Sequence, residues 1–285
     1  MSLDITTRIN KAYNTLSKSH KKIANAILNE YETVGFMTAT KFGQYVSVSE
    51  STVVRFAIEL GFEGYSDFQQ SIKDLIKSKL TPNQRIELTK TQYVDKDVLN
   101  MVMEADIAKI KHTQRKIDKK AFDSAIEAML SARNIYIMGA RSAEPIARIL
   151  FYNLSLIFDN IKFVNPSSSS EVLEQMYSIG NNDVLFAFSF PRYSSTIVKA
   201  AKYAKSSGAK VIVCTDSESA PIASYSDFVL AAESDMASFM DSLVAPLSII
   251  NAIIVEIAKR READIVHRFE RLEKIWDEYE VYTKH

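Results

Sequence analysis

The chain has 285 residues, more than one typical domain, so two domains are expected. Its hydrophobic content of 47%, charged content of 25% and formal net charge of +0 are those of a folded globular protein. This balance excludes a diffuse basic surface as the means of binding nucleic acid, so any such contact must be local.

No apolar run is long enough to cross a membrane, and the first residues, MSLDITTRINK, lack the apolar core of a secretion signal. A cytoplasmic location without a membrane partner is therefore expected. The single Cys214 permits no internal disulfide, and the four histidines are too scattered for metal-ligand spacing. We expect no metal site and no cofactor.

Residues 38–68 predict two short helices joined by a turn. Ser47 and Glu50 have capping-box spacing, so Ser47 is expected to cap the second helix and Glu50 to bond back to the cap amide. This helix carries an apolar stripe of Val53, Phe56, Ala57 and Leu60. Gly61 then occupies the position of a left-handed residue that ends a helix. The opposite face is polar and suited to base edges: Ser49, Ser51, Thr52 and Arg55.

Amphipathic helices are expected on both sides of this pair. The one before it has the apolar residues Ile23, Ala24, Ile27, Leu28 and Tyr31, and the one after it covers residues 66–79. A basic run without an intervening acid lies near the start of the chain: Arg8, Lys11, Lys18, Lys21 and Lys22. Such a run is either a solvated face or a set of phosphate contacts. By pattern alone, the second helix of the pair is equally an ordinary amphipathic helix with a good cap.

The residue order in this region resembles the DNA-binding domain of RpiR-type (MurR/RpiR) transcriptional regulators. The resemblance rests on VSESTVVRF at 48–56, LGF at 60–62 and GYSDF at 64–68, and it covers roughly residues 1–77. It implies that double-stranded operator DNA is a partner. The DNA-binding residues would then be Ser49, Ser51, Thr52 and Arg55.

A domain boundary is predicted between about residues 78 and 96, where the chain is polar, contains Pro82 and loses its periodicity. This gives an all-α helix-turn-helix domain at 1–77, a linker at 78–96 and a second domain at 97–285. The second domain starts with a helical stripe of Val98, Met101, Val102, Ala105 and Ala108. A further helix is expected over 119–132.

Short apolar runs alternate with helices from residue 133 onward. Five runs predict strands: 134–138, 161–164, 184–188, 211–214 and 228–230. The central runs are continuously apolar, which is typical of strands buried on both faces of a parallel sheet. Helices over 142–158, 170–178 and 194–207 supply the crossovers. The pattern predicts a doubly wound, three-layer α/β sandwich that binds ligands beyond the C-terminal ends of its strands.

Two of these strand ends carry residues suited to a phosphate. The first strand is followed by Gly139, Ala140, Arg141 and Ser142, and the third by Ser189, then Arg192, Ser194 and Ser195. Hydroxyls, backbone amides and a guanidinium at two helix starts favour an anion. The alternative is that these serines are ordinary helix caps. Arg192 favours the phosphate, because a cap needs no cation.

Residues 118–260 resemble a sugar isomerase (SIS) domain, the flavodoxin-like phosphosugar-binding module that follows the helix-turn-helix in RpiR-type proteins. The segment from Phe188 to Leu230 is close to the family pattern. Two loops depart from it: in Gly-x-Gly-x-Ser the second Gly is Arg141 and the last Ser is Ala143, and Ser-x-Ser-Gly-x-Thr is replaced by SFPRYSSTI. The resemblance implies a sugar-phosphate effector at Gly139, Arg141, Ser142, Ser189, Arg192, Ser194 and Ser195.

The C-terminal part predicts two helices. Residues 237–260 form a long apolar helix that Pro246 should kink. The last segment has a heptad seam of Ile265, Phe269, Leu272, Trp276 and Tyr279. This seam either packs back on its own domain or forms a contact within a homo-oligomer, a dimer or a tetramer.

The sequence favours a regulator over an enzyme or a scaffold. A phosphosugar isomerase, the main alternative, needs a general base, and the candidates near strand ends are Glu144, Glu171 and Glu174. An isomerase has no use for a recognition helix, and a scaffold does not explain the Ser and Arg loops. We therefore expect no catalytic residues, and operator binding that a phosphorylated sugar or related metabolite modulates.

Overall fold

A computed structural model describes residues 5–90, 97–236 and 238–283. The chain divides into two compact units, Met1–Gln92 and Tyr93–His285. The division falls inside the segment expected as a linker. Within that same segment, Pro82–Lys90 is helical, since Thr81 caps it through a bond from the amide of Gln84.

The described part of the first unit is helical. Its helices are α1 (Ile5–Ala12), α2 (Lys18–Val34), α3 (Ala39–Tyr45), α4 (Glu50–Glu59), α5 (Tyr65–Lys79) and α6 (Pro82–Lys90). The apolar faces of α1 to α5 meet in one core, in which Phe42, Phe56 and Phe68 are fully buried. The stripe predicted for the second helix of the pair is buried as expected: Val53, Phe56, Ala57 and Leu60.

The second unit is a three-layer α/β sandwich. Its helices are α7 (Val98–Lys116), α8 (Lys119–Leu130), α9 (Glu144–Ser155), α10 (Ser169–Gln175), α11 (Ser195–Ser206), α12 (Val244–Arg260) and α13 (Glu262–Glu278). Its strands are β1 (Asn134–Gly139), β2 (Ile161–Phe163), β3 (Asp183–Phe188), β4 (Lys210–Thr215) and β5 (Phe228–Ala231). All five predicted strands are confirmed.

The sheet is parallel throughout, with the strand order β2-β1-β3-β4-β5. Alternate residues of the central strands pack on opposite faces. Val184, Phe186 and Phe188 pack on the face covered by α8, α9 and α12. Leu185 and Ala187 pack on the face covered by α10 and α11. Burial on both faces explains why these strands are continuously apolar in sequence.

The helix predicted from the stripe of Val98 to Ala108 is confirmed as α7, and its buried residues are Lys109 and Thr113. Two expectations for the long helix near the C-terminus, its start at residue 237 and its kink at Pro246, are wrong. The long helix starts at Val244, so Pro246 lies in its first turn. A proline there removes no intrahelical bond, because the first amides of a helix have no partner to lose.

Helix α13 is the least buried helix of the second unit. None of its residues is buried within this chain, although Phe269 and Trp276 pack edge to face at 6.2 Å between ring centroids. Its seam thus lacks a full covering surface in the single chain. Among the described residues, no helix has both the length and the apolar character needed to cross a bilayer.

Candidate functional site

Ser49, and not Ser47, caps helix α4. The Ser49 hydroxyl accepts a hydrogen bond from the amide of Thr52 at 3.2 Å. The chain reverses at Ser47, which has a left-handed φ of 55°, so the helix starts two residues later than the capping-box spacing predicts. The Glu50 carboxylate accepts from the Thr40 hydroxyl at 2.7 Å, which fastens the start of α4 to α3. The predicted capping box is therefore wrong.

Glycine is required at two points of the α3–α4 pair. A Cβ on Gly43 would lie 2.8 Å from the carbonyl oxygen of Val48, so a side chain there would force α3 and the turn apart. Gly61 has a φ of 84° directly after α4, as the sequence predicts. The amides of Gly61 and Phe62 bond back to Ile58 and Ala57, which satisfies two terminal carbonyls.

Arg8 binds backbone carbonyls at the C-terminal end of α4. Its Nη1 donates to the carbonyl oxygens of Leu60 and Gly61 at 2.9 Å and 3.1 Å. Its guanidinium also lies 4.4 Å from the centroid of the Phe62 ring. This member of the predicted basic run is therefore occupied inside its own unit, whereas Lys11, Lys18 and Lys22 are exposed.

The predicted DNA-binding residues share the face of α4 opposite its buried stripe. Ser49, Ser51 and Arg55 are exposed, and Thr52 is half-buried. The Ser49 hydroxyl lies 2.9 Å from that of Ser51 and 2.7 Å from that of Thr52. Arg55 Nε donates to the carbonyl of Ser51 at 3.3 Å, which lays the side chain along the helix. The result is a compact group of hydroxyls beside one cation, the donors that read guanine and adenine edges.

The second candidate site lies where β1 and β3 end side by side. The chain leaves β1 for β2 on one side, whereas β3 lies on the other, so this is the switch point of the sheet. A crevice opens at such a point, beyond the C-terminal ends of the strands. The loops that follow β1 and β3 border it, and these are the loops singled out in the sequence.

Ser189 is the most informative residue of this site. It is 3% exposed, and its Oγ has no hydrogen-bond partner among the described residues. Its amide donates to the carbonyl of Cys214 at 3.1 Å, which extends the β3–β4 ladder by one residue. The alternation along β3 therefore places its side chain on the α11 face of the sheet. A buried hydroxyl without a partner costs about 1–3 kcal/mol, which an acceptor on a ligand would recover.

The N-terminus of α11 also lacks its side-chain cap. In α2, α3, α4, α7, α8 and α10 the N-cap is a Ser, Thr or Asp whose side chain accepts a bond from the first turn. Ser194 has the extended N-cap backbone but makes no such bond. Helices α5, α9, α12 and α13 lack a side-chain cap as well, but none of them has a hydroxyl residue at the N-cap. The half-buried Ser194 hydroxyl and the first amides of α11 are thus available to an acceptor near Ser189. Ser195, the first residue of the helix, is exposed.

Two arginines of the site have a left-handed backbone. The φ angles are 56° at Arg141 and 65° at Arg192, a conformation that costs a residue with a Cβ about 1–2 kcal/mol. Both side chains are exposed, and neither has a polar partner in the described part of the chain.

The loop after β1 is shaped by Gly139 and followed by a 3-10 turn, Arg141–Ala143, before α9. A Cβ on Gly139 would lie 2.5 Å from the carbonyl oxygen of Ala143. This glycine therefore acts by letting the turn fold close over the strand end. Ser142 is exposed in the turn, and Glu144 at the start of α9 accepts from Arg148 Nε at 2.9 Å.

Neighbouring strand ends add residues that the sequence analysis did not single out. The Tyr193 hydroxyl donates to both carboxylate oxygens of Asp216, directly after β4, and Thr215 donates to the same group. Ser169 and Thr196 approach to 3.4 Å between hydroxyls and so join the starts of α10 and α11. The signals were present: an acid one residue after the fourth strand, and a run of serines at 167–170 after the second.

Comparison with known proteins matches both units to described families. The model of the rpiR-family helix-turn-helix domain matches residues 3–79, and the SIS domain model matches residues 128–256. An HTH-type transcriptional regulator of Haemophilus influenzae, itself uncharacterised, is 26% identical over 80% of this chain and 79% of its own length.

Two further relatives match nearly the whole chain. The HTH-type transcriptional regulator HexR of Escherichia coli is 22% identical over 95% of this chain and 94% of its own length. The structure of the Vibrio vulnificus NanR protein complexed with ManNAc-6P is similar in fold, with a TM-score of 0.61 at 19% identity. It covers 96% of this chain and 98% of NanR.

Proposed function

We propose, on the basis that this chain belongs to the RpiR family of helix-turn-helix proteins with a SIS domain, that it is a transcriptional regulator. Its operator binding is modulated by a phosphorylated sugar or related metabolite held at the SIS switch point. Two relatives support this proposal: HexR is a transcriptional regulator, and NanR has a phosphorylated sugar bound.

The DNA is read by α4. Ser49, Ser51, Thr52 and Arg55 occupy one face, and the first three lie in the N-terminal part of the helix, which reaches base edges in this class of fold. The buried stripe on the other side fixes the helix on α2, α3 and α5. The helix-turn-helix unit of one chain, here called a head, reads only a short site. Useful specificity therefore requires two heads on half-sites about one helical turn of DNA apart.

The unpartnered hydroxyl of Ser189 beside the uncapped N-terminus of α11 is the observation that carries the effector site. A phosphate offers several acceptor oxygens, and the partial positive charge of a helix N-terminus stabilises its anion. The hydroxyls of Ser189, Ser194 and Ser195 and the first amides of α11 would bind it. Gly139 and Ser142 shape the facing wall, and Arg192 adds a charge-assisted donor.

The isomerase alternative finds less support in the same region. Glu144 is paired with Arg148, with 2.8 Å between Nη2 and Oε1, so its carboxylate is already committed. Glu171 and Glu174 are exposed on α10. A general base has to lie within hydrogen-bond reach of the carbon acid. We therefore assign ligand binding without catalysis to this crevice.

The proposed mechanism couples two binding events. The effector changes the arrangement of the SIS domains in a homo-oligomer, and hence the spacing of the two heads relative to their half-sites. Helix α13, whose seam has no full cover in one chain, provides a surface for that assembly.

Isothermal calorimetry on the full chain tests the effector site. Phosphorylated sugars, including ManNAc-6P, should bind, whereas the matching neutral sugars should bind at least tenfold more weakly, because they lack charge-assisted hydrogen bonds. The Ser189→Val/Ser194→Val variant should lose this binding.

The matched control is Ser131→Val/Ser206→Val. The hydroxyls of these two serines donate to carbonyls at the C-terminal ends of α8 and α11, away from the crevice. Unaltered phosphosugar binding by the Ser189→Val/Ser194→Val variant would show that these serines are not the site.

A further inference from the structure

Two exposed arginines in the loops that border the crevice, Arg141 and Arg192, have a left-handed backbone, which is unfavourable for a residue with a Cβ. In the second unit, left-handed positions away from the crevice are held by Asn182 and Gly208, residue types that adopt this conformation at low cost, and by Glu280 just after α13. The fold alone therefore gives no reason for arginine at positions 141 and 192. Arginine at these positions is explained by a contact of its guanidinium and not by the backbone conformation.

Neither guanidinium is neutralised within the described residues. Three arginines near the ends of other elements of this unit are paired, Arg133 with Asp183, Arg148 with Glu144 and Arg268 with Asp159, whereas Arg115 on α7 and Arg271 on α13 are exposed. Two acids at this edge of the sheet are occupied, since Glu144 at the start of α9 pairs with Arg148, and Asp216 after β4 accepts from Tyr193 and Thr215. The two loops that border the crevice thus carry two positive charges that no described acid pairs with.

The two arginines belong to opposite sides of the sheet. Arg192 precedes α11, whose residues pack with Leu185 and Ala187 on one face. Arg141 precedes α9, whose residues pack with Val184 and Phe186 on the other face. A phosphate bound by Ser189 and the start of α11 lies on the side of Arg192. If the ligand extends across the strand ends toward α9, its far end lies on the side of Arg141.

We infer that the effector carries a second anionic group, a carboxylate or another phosphate, at the end away from its first phosphate, and that Arg141 binds it. This inference rests on the proposed function and narrows the ligand class to sugar-acid phosphates and sugar bisphosphates. A guanidinium matches either group, because both offer two oxygens to its planar donor fork.

Two ligand pairs isolate the second anion. Glucose 6-phosphate is compared with 6-phosphogluconate, and fructose 6-phosphate with fructose 1,6-bisphosphate, by calorimetry on the full chain. In at least one pair, the ligand with two anionic groups, 6-phosphogluconate or fructose 1,6-bisphosphate, should bind the wild type at least tenfold more tightly than its partner with one. The pair that shows the preference tells whether a carboxylate or a phosphate is recognised.

Glycine variants then assign the preference to one residue. Arg141→Gly should reduce the affinity ratio within that pair to twofold or less. Arg192→Gly should weaken both members together and keep the ratio. Asn182→Gly is the control, since it changes a left-handed position at the other end of β3 and should leave the ratio as in the wild type. All three fold readily, because glycine suits this conformation.

The outcomes separate this inference from the function on which it rests. If both pairs bind the wild type with ratios below twofold, or if Arg141→Gly keeps the preference, the second anion site is wrong while the phosphate site stands. If none of the four ligands binds, or if Ser189→Val leaves their binding unchanged, the phosphate site itself is wrong.

Discussion

The Tyr193 hydroxyl donates to the carboxylate of Asp216, whose two oxygens lie 2.9 Å and 3.0 Å from the phenol oxygen. This bond ties the loop after β3 to the end of β4. Asp216 also accepts from the adjacent Thr215 hydroxyl at 3.1 Å. The loop that holds Arg192 in a left-handed conformation is thus fastened before any ligand arrives, which reduces the ordering cost of binding.

Removing that bond should weaken effector binding. Tyr193→Phe deletes a hydrogen bond to a charged acceptor, so the loop becomes less ordered and the dissociation constant for the phosphosugar should rise about three- to tenfold. Calorimetry measures this. Tyr203→Phe on the following helix, α11, is the control, because its hydroxyl donates to the Tyr177 carbonyl at 3.3 Å, outside the loop. Equal affinities in the two variants would contradict a positioning role for Tyr193.

Truncating a side chain on the exposed polar face of α4 should leave the fold intact but weaken operator binding. Arg55→Ala and Thr52→Ala, made separately, should each lose about 1–3 kcal/mol of operator affinity through lost contacts to base edges. Both side chains lie outside the core, so the melting temperature should stay near that of the wild type. Fluorescence anisotropy with the operator measures the affinity, with Arg115→Ala on α7 as an exposed control. Wild-type affinity in both variants would place the reading helix elsewhere.

Helix α13 should hold the oligomer together. Trp276→Glu places a charge in the seam and should shift the assembly toward monomer, because a buried unpaired charge opposes association. Light scattering at micromolar concentration reports the mass. Lys274→Asp, which changes an exposed charge on the same helix, should leave the mass unchanged. A wild-type protein that is monomeric with both DNA and effector present would rule out two-headed binding.

Asp183 should make the second unit sensitive to acid. Burial by itself raises the pKa of this carboxyl, but hydrogen bonds outweigh it and hold the pKa below its usual range. The donors are Arg133, Asn134 and the Gly180 amide, at 2.5–2.9 Å. Since the folded pKa is the lower one, this stabilisation is complete above about pH 5 and is lost as the pH falls through the folded pKa.

Urea unfolding of wild type and Asp183→Asn measures that contribution. At pH 7 the variant should be less stable by about 2–3 kcal/mol, as expected for lost bonds to a buried charge. The difference should shrink below about pH 4. A difference that does not depend on pH would mean that the charge of Asp183 contributes nothing.

The fold was largely predictable because its signals are local. Short apolar runs located all five strands, and the central runs are continuous because burial on both faces of a parallel sheet leaves few polar positions. The helix starts were harder. The spacing predicted Ser47 as the cap of α4, but its left-handed φ of 55° places the cap two residues later, at Ser49. At Pro246 the proline was identified, but not that the helix begins two residues before it.

Residues of the candidate site could be proposed from the sequence, but their burial and bonding could not. That Ser189 is buried without a partner depends on how β3, β4 and α11 meet, which no local pattern encodes. The same holds for Arg8, whose place at the end of α4 joins segments more than fifty residues apart. The α7 stripe marked a helix correctly, but apolar periodicity does not say whether a covering surface exists in the same chain.

Operator binding measured against effector concentration tests the central claim most directly. Fluorescence anisotropy of the full chain on its operator should show an affinity change of at least fivefold when a phosphosugar saturates the SIS domain, a coupling of about 1 kcal/mol. The Ser189→Val/Ser194→Val variant should bind the operator but show no change at any effector concentration. An operator affinity that no phosphorylated sugar alters, or a variant that responds like the wild type, would contradict the account.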